Sequence, residues 1–186
     1  MSVHTMRRRF TVDEYLHMAR TGILTARDRV ELLDGDIVEM TPIGRRHAGC
    51  VAALLRVLLA EVGSRAVVWP QGPIRLSDRS QPEPDVALLR LRPVSYSEAD
   101  AEPRDVLLVI EVAETSLRRD REIKLPLYAD AGIAECWIVD LSSREIEVFR
   151  EPAGSRYATA RRHGVGAVVS PLAFPDVAVD VAAIFR

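Results

Sequence analysis

The sequence predicts a single α/β domain over residues 1–186, with a mixed β-sheet flanked by helices. The first observation is an amphipathic helix, His47 to Val62, whose apolar residues recur at spacings of three and four. The second is a series of short segments rich in valine, isoleucine and leucine, which indicate strands. The third is Val106 to Val112, apolar on both alternations, as expected of a strand covered on both faces.

The N-terminal elements are predicted from capping and turn residues. Thr11 and Glu14 have the spacing of a capping box, so a first helix should run from there to about residue 20. A second cap at residues 25–28 predicts a short helix whose last turn is Val30–Leu33. A turn at residues 34–35 should then lead into a strand over residues 36–40.

The later elements follow from strand composition and from one proline. The predicted strands are Ala66–Trp69, Pro73–Leu76, Asp85–Leu89, Val106–Val112, Trp137–Asp140 and Glu145–Phe149, the last two forming a hairpin. A helix should begin near Lys124 and run to Ala131, because proline is tolerated in the first turn and Pro126 lies there. Residues 92–104 read as a loop, and the tail from residue 157 predicts two short strands.

Composition and charge exclude several classes of protein. The net charge of −2 excludes a uniformly basic nucleic-acid coat but permits a locally basic groove. No apolar run approaches the ~20 residues of a membrane helix, and the basic stretch Met1–Arg9 does not lead into a signal-peptide core. Cys50 and Cys136 form no CxxC pair, so we expect buried, reduced thiols and a cytoplasmic protein.

Two carboxylates lie at or near the ends of apolar strands. Asp85 opens one strand, and Glu111 lies near the end of Val106–Val112. A single such residue is more often solvated or paired with arginine, but two on adjacent strands can hold Mg²⁺ or Mn²⁺ with water completing the octahedron. We expect the two on neighbouring strands, with their mutual repulsion raising the pKa of at least one.

Lys124 is the only lysine among 25 basic residues. Its spacing from Asp120 would allow an ordinary i,i+4 ion pair, worth ~0.3 kcal/mol. A lone lysine at the start of a helix also suggests a functional ammonium, which can position an attacking water where a wide guanidinium cannot.

An ordered set of motifs then resembles a known family, a large bacterial group described as "putative restriction endonucleases" within the PD-(D/E)XK nuclease superfamily. The matching pieces are Arg29–Val38, His47, Glu83–Val86, Val109–Val112, Asp120–Lys124 with Tyr128, Gly132–Ile133 and Trp137–Asp140. Each piece is weakly specific by itself, and the ordered set is much more so. The resemblance covers about residues 10–150.

The resemblance implies a restriction-endonuclease-like core with Asp85 and Glu111 as metal ligands. It also implies that Glu31 is a helix-borne acidic residue supporting the site. In the superfamily's simplest pattern the lysine lies two residues after the second acid, where this chain has Ala113. The family resembled here supplies the lysine from the following helix, which points to Lys124.

Further candidates keep more than one interpretation. Glu31 could instead be an exposed residue paired with Arg27. His47 could cap its helix, contact a phosphate or lie in solvent. Asp120 is more often an N-cap or an ion-pair partner than a ligand. Arg118 and Arg119 belong to a basic cluster that could face a phosphate backbone. The residues named in this paragraph are assigned from the sequence alone.

Taken together, the residues favour a Mg²⁺- or Mn²⁺-dependent endonuclease that hydrolyses phosphodiester bonds in nucleic acid, with DNA the expected substrate. The resemblance further implies a homodimer, because two symmetry-related sites can cut both strands of a duplex. A nucleic-acid-binding or structural module without turnover is the alternative, and a metal hydrolase acting on another substrate is a second.

Overall fold

A computed structural model describes residues 7–25 and 27–185 of the chain. Residues 1–6 of the basic N-terminal stretch and Ala26 of the predicted second cap lie outside the described residues. The helices are α1 (Val12–Arg20), α2 (Arg45–Val62), α3 (Leu117–Arg119), α4 (Leu125–Asp130) and α5 (Val181–Ile184). The strands are β1 (Val30–Leu33), β2 (Asp36–Glu39), β3 (Val67–Pro70), β4 (Val86–Leu89), β5 (Val106–Ala113), β6 (Glu135–Asp140), β7 (Glu145–Ala153), β8 (Arg156–Gly164), β9 (Val168–Val169) and β10 (Val179–Asp180).

Six strands form one mixed sheet in the order β3-β4-β5-β6-β7-β8. All neighbours are antiparallel except β5 and β6, which pair in parallel. Parallel neighbours need a long crossover connection, and here it contains α3 and α4. The crossover therefore packs on one face of the sheet and places Lys124 next to β5. This mixed sheet flanked by helices confirms the predicted fold class.

Strand β5 is covered on both faces, as its composition predicts. Leu108 and Ile110 pack into a core with α2, whereas Val109 packs into a second core with Tyr128 of α4. Glu111 lies two residues after Val109, and side chains two apart in a strand point to the same face of the sheet. The side chain of Glu111 therefore lies on the α4 side. The alternation of β5 thus decides which helix Glu111 meets.

The predicted helix ending in Val30–Leu33 is wrong, because these residues form strand β1, paired antiparallel with β2. Asp34 and Gly35 both adopt positive φ, at 46° and 78°, which is the geometry of a two-residue hairpin turn. Leu32 also pairs with Gln81, whose N–H donates to the Leu32 carbonyl at 2.8 Å. The hairpin with β2 and the bridge from Leu32 to Gln81 therefore override the local capping signal.

The helical crossover also differs from the prediction. It begins at Leu117 rather than near Lys124, and a π-helical turn, Asp120–Lys124, joins α3 to α4. In this wider turn the Leu125 N–H donates to the carbonyl of Asp120, five residues back. The widening lets the helix pass Pro126, which has no N–H to donate. Lys124 consequently lies inside a continuous helical segment and not at its positive end.

Other predictions have mixed outcomes. The capping box of Thr11 and Glu14 is present, and the hairpin of β6 and β7 is confirmed. Residues 73–76 are not a strand, since Ile74 makes only an isolated bridge to Ala101. The tail contains one nine-residue strand, β8, besides the short β9 and β10. Cys50 and Cys136 are buried free thiols, as expected.

Helix α2 is the longest helix in the described part of the chain. The segment Arg45–Arg65 has a mean hydropathy of 1.4, and by length and composition it could cross a membrane. Its buried residues lie on one face, which packs against the sheet. One-sided burial of this kind is typical of a core helix in a folded domain.

Candidate active site

Asp85 lies immediately before β4, at the end of the sheet where the antiparallel neighbour β5 terminates. Its Oδ2 accepts hydrogen bonds from the Val112 N–H at 2.8 Å and from His47 Nε2 at 3.0 Å. Val112 follows Glu111 in β5, so the backbone ties Asp85 directly to the strand that carries the second acid. Asp85 and Glu111 thus come from neighbouring positions in the sheet, as the sequence predicts.

Glu111 is buried beneath the crossover helix. Its Oε1 accepts hydrogen bonds from Lys124 Nζ at 3.1 Å and from the Tyr128 hydroxyl at 2.6 Å. Burial raises the pKa of Glu111 to about 8, with repulsion from Asp120, Asp85 and Glu31 adding to the increase and Lys124 opposing it. The expected direction is confirmed, but desolvation rather than repulsion from Asp85 is its main cause.

Lys124 is the cation of this cluster. Its Nζ lies 3.0 Å from Glu31 Oε2 and 3.1 Å from Glu111 Oε1, and its side chain is 4% exposed. Burial alone would lower the pKa of Lys124, but the surrounding Glu111, Glu31 and Asp120 carboxylates outweigh burial and raise it. The ammonium therefore stays charged although it is almost fully removed from water.

Glu31 reaches the site from strand β1, which corrects the prediction of a helix-borne acid. It is buried, so the alternative of an exposed residue paired with Arg27 is wrong. Glu31 Oε2 accepts from Lys124 and, at 3.2 Å, from the Glu83 N–H. Its Oε1 is buried without a hydrogen-bond partner in the part of the chain that the structure describes.

Two further candidates, Asp120 and His47, line the same cavity. Asp120 Oδ2 accepts a hydrogen bond from Ser116 Oγ at 2.6 Å, while the Lys124 ion pairs within the described residues are with Glu31 and Glu111. The i,i+4 pair that the spacing would allow is thus replaced by partners more distant in sequence. His47 holds Asp85, which raises the pKa of the imidazole through that hydrogen bond.

The two arginine candidates, Arg118 and Arg119, differ in position and in partners. Arg119 lines the cavity, where its guanidinium donates to the Glu39 carbonyl at 2.6 Å and to Thr41 Oγ1 at 3.0 Å. Arg118 is exposed and forms an i,i+4 ion pair with Glu122. Arg118 is not among the residues that line the cavity, so its charge is paired outside it.

Some residues of the site were not assigned a role from the sequence. Tyr128 lies four residues after Lys124, one helical turn on, so this spacing was the available signal. Gln71 and Glu114 also line the cavity, whose volume is about 130 Å³, as does Glu83, for which the sequence allowed either a supporting role beside the metal ligands or a solvated loop position. These three come from loops, where periodicity carries no information about neighbours.

The donor chemistry at Asp85 and Glu111 fits a magnesium ion. Within the described residues, Asp85 Oδ1 and Glu111 Oε2 accept no hydrogen bond, since the protein donors all use Oδ2 and Oε1. Residues 7–25 and 27–185 contain no group of three or more His, Cys, Asp and Glu side chains placed to hold a metal. Mg²⁺ usually binds through one or two carboxylates and keeps several waters, so a pair suffices.

Comparisons with known proteins agree with this fold. A crystal structure of a "putative nuclease belonging to DUF820" from Anabaena variabilis ATCC 29413 superposes with a TM-score of 0.76. It is 15% identical in sequence, and the match covers 95% of this chain and 97% of that one. A search of curated proteins finds none that matches this chain. The sequence model of the Uma2 family, described as "Putative restriction endonuclease", matches residues 12–182. The chain therefore belongs to the Uma2 family.

Proposed function

We propose that this protein is a metal-dependent endonuclease that hydrolyses phosphodiester bonds in DNA. The observation that carries the proposal is the Lys124 ammonium, buried between Glu111 and Glu31 in the same cavity that Asp85 lines. Keeping three carboxylates and one ammonium together away from water is costly for a fold, and such clusters are concentrated at functional sites.

Asp85 and Glu111 would hold the cation through the oxygens that carry no protein hydrogen bond. A bound Mg²⁺ or Mn²⁺ lowers the pKa of a coordinated water and neutralises charge on a phosphate. His47 and the Val112 N–H orient Asp85, and Tyr128 orients Glu111, so both ligands are held before metal or substrate arrives. Side chains that hydrogen bonds already fix before binding keep a functional site in its productive geometry.

Lys124 would orient the attacking water and stabilise the charge that develops on the phosphate oxygens. Glu31 helps to keep the ammonium in place through its contact of 3.0 Å with Lys124 Nζ. Because Glu31 comes from the β1–β2 hairpin, that hairpin becomes a functional part of the site and not an accessory to the sheet.

Incubation with supercoiled plasmid tests the proposal. We expect nicked or linear plasmid with Mg²⁺ or Mn²⁺, and no cleavage with EDTA or with the Glu111→Gln variant. Glu122→Gln is the matched control, because Glu122 is an exposed glutamate of the crossover that follows β5, and it should cleave as wild type does. Parallel incubations with single-stranded DNA and RNA identify the substrate. Binding of DNA without cleavage in any metal would contradict the proposal and favour a binding module.

We also propose that the active form is a homodimer, which the family resemblance implies. Two sites related by a two-fold axis can cut both strands of a symmetric duplex. Light scattering at micromolar concentration should give twice the chain mass of 20.7 kDa. A protein that is monomeric by light scattering and still makes double-strand breaks would exclude the dimer.

A further inference from the structure

A second cavity, of about 350 Å³, is lined by Arg45, Arg46 and Arg144. Its described lining contains no carboxylate, in contrast with the active-site cavity, where acidic side chains outnumber basic ones. We call these three residues and the space between them the arginine cavity. Cys50, Leu141, Ile184 and Phe185 also line it.

The arginine cavity lies at the same end of the sheet as the active site, where β5 and β6 terminate. Leu141 and Arg144 follow β6, whose last residue pairs with Ala113 at the end of β5. Arg46 connects the two cavities, because its Nη2 donates to the Leu141 carbonyl at 2.6 Å and its Nη1 lies 3.8 Å from Glu114 Oε1. Glu114 lines the active-site cavity, so the two sites adjoin.

The charges of the arginine cavity are largely uncommitted. Within the described residues, Arg45 and Arg144 form no ion pair, and the nearest carboxylate contact of Arg46 is the 3.8 Å one to Glu114. The arginine clusters that stand out in the sequence are different, since Arg118 is paired with Glu122 and both Arg121 and Arg162 with Glu147. Uncommitted guanidinium groups are the ones able to bind an external anion.

We propose that the arginine cavity binds the phosphodiester backbone of DNA next to the scissile phosphate. This inference rests on the proposed endonuclease function. The active-site cavity is rich in carboxylates and repels phosphate until cations neutralise it, so binding affinity has to come from neighbouring surface. The arginine cavity is adjacent, positively charged and free of carboxylates, and guanidinium groups match phosphate geometry.

A salt titration of DNA binding tests this directly. Fluorescence anisotropy with a labelled duplex in EDTA measures affinity without cleavage. The slope of log K against log salt concentration should become shallower by about 0.9 for each phosphate contact that is lost. We expect Arg45→Gln and Arg144→Gln each to reduce the slope by about that amount and the double variant by about twice as much. Arg144→Lys keeps the charge and should retain the wild-type slope.

Arg156→Gln is the matched control. Arg156 is an exposed arginine without an ion pair in the described part of the chain, and it begins β8 at the end of β7 opposite Arg144. A nine-residue strand places the two about 30 Å apart. The same loss of one charge there should leave the slope unchanged, which separates a local contact from the effect of net charge.

The outcomes for the arginine cavity and for the nuclease are distinguishable. Slopes of the Arg45 and Arg144 variants equal to that of Arg156→Gln would overturn the arginine cavity while leaving cleavage by wild type intact. If wild type cleaves DNA with no metal tested, while the slopes change as expected, the proposed endonuclease function would be overturned and the arginine cavity would stand. Inorganic phosphate should compete with DNA in wild type. Phosphate binding that depends on Arg144, with DNA affinity unchanged in Arg144→Gln, would also overturn the proposal, because it identifies a small anion as the ligand.

Discussion

Replacing Lys124 with alanine should reduce turnover by two orders of magnitude or more, or about 3 kcal/mol of activation free energy. The ammonium lies within hydrogen-bond distance of both Glu31 and Glu111 and borders the cavity that holds Asp85. Without it, no other described cation contacts these two glutamates. Lys124→Arg should restore little activity, because a planar guanidinium places its donors differently. Steady-state cleavage of plasmid measures both variants.

The same substitution should also destabilise the fold, because the ammonium is buried between two glutamates. Removing one partner of a buried ion pair typically costs about 3–5 kcal/mol, and urea denaturation measures this loss. Leu58→Ala is the matched control, since Leu58 is fully buried in α2 and its truncation costs a comparable 2–5 kcal/mol. Below its melting temperature the Leu58 variant should keep wild-type turnover. A fully active Lys124→Ala enzyme would leave Lys124 with a structural role only.

Replacing Asp85 with alanine should abolish Mg²⁺ binding and cleavage together. In the proposed site Asp85 coordinates the metal through Oδ1, which carries no hydrogen bond within the described residues, while its Oδ2 accepts from Val112 and His47. Its loss should also cost about 1–3 kcal/mol of stability, because the buried Val112 N–H loses its acceptor. Asp85→Asn keeps an acceptor for that N–H, so it should recover stability without recovering metal binding.

Isothermal calorimetry with Mg²⁺ and Mn²⁺ measures the loss of binding, and thermal denaturation measures stability. Asp78→Asn is the control, because the Asp78 side chain is 91% exposed and lies outside the cavity. It should bind metal with wild-type affinity. Unchanged Mg²⁺ affinity in Asp85→Asn would remove Asp85 from the metal site and with it the proposed chemistry.

Local signals in the sequence were sufficient for much of the fold. The apolar period of α2, the capping box at Thr11 and the two-sided burial of β5 all depend on neighbours within a few residues. They predicted these elements correctly for that reason. The parity of Glu111 along β5 follows from the same alternation, and it places this carboxylate beneath the crossover helix.

Local signals were misleading where distant residues decide the structure. Val30–Leu33 follow a plausible helix cap, but pairing with β2 and the bridge from Leu32 to Gln81 make them a strand. Pro126 suggests a helix start, but a π-helical turn accommodates the proline and extends the helix back to Leu117. The hairpin with its bridge to Gln81, and the hydrogen bond from the Leu125 N–H to the Asp120 carbonyl, outweigh the preference that each segment shows in the sequence.

By itself the sequence singled out the residues that we propose carry the chemistry, because Asp85, Glu111 and Lys124 stand out by residue type against their apolar or arginine-rich surroundings. Only the tertiary structure decided how they meet. Lys124 pairs with Glu31, 93 residues away, and not with Asp120 one turn before it. The arginines left free around Arg144 likewise emerge only once the paired ones are known. Ion pairs form between side chains that the fold brings within a few ångströms, and their Coulomb energy depends on that distance and on burial, which sequence spacing does not specify.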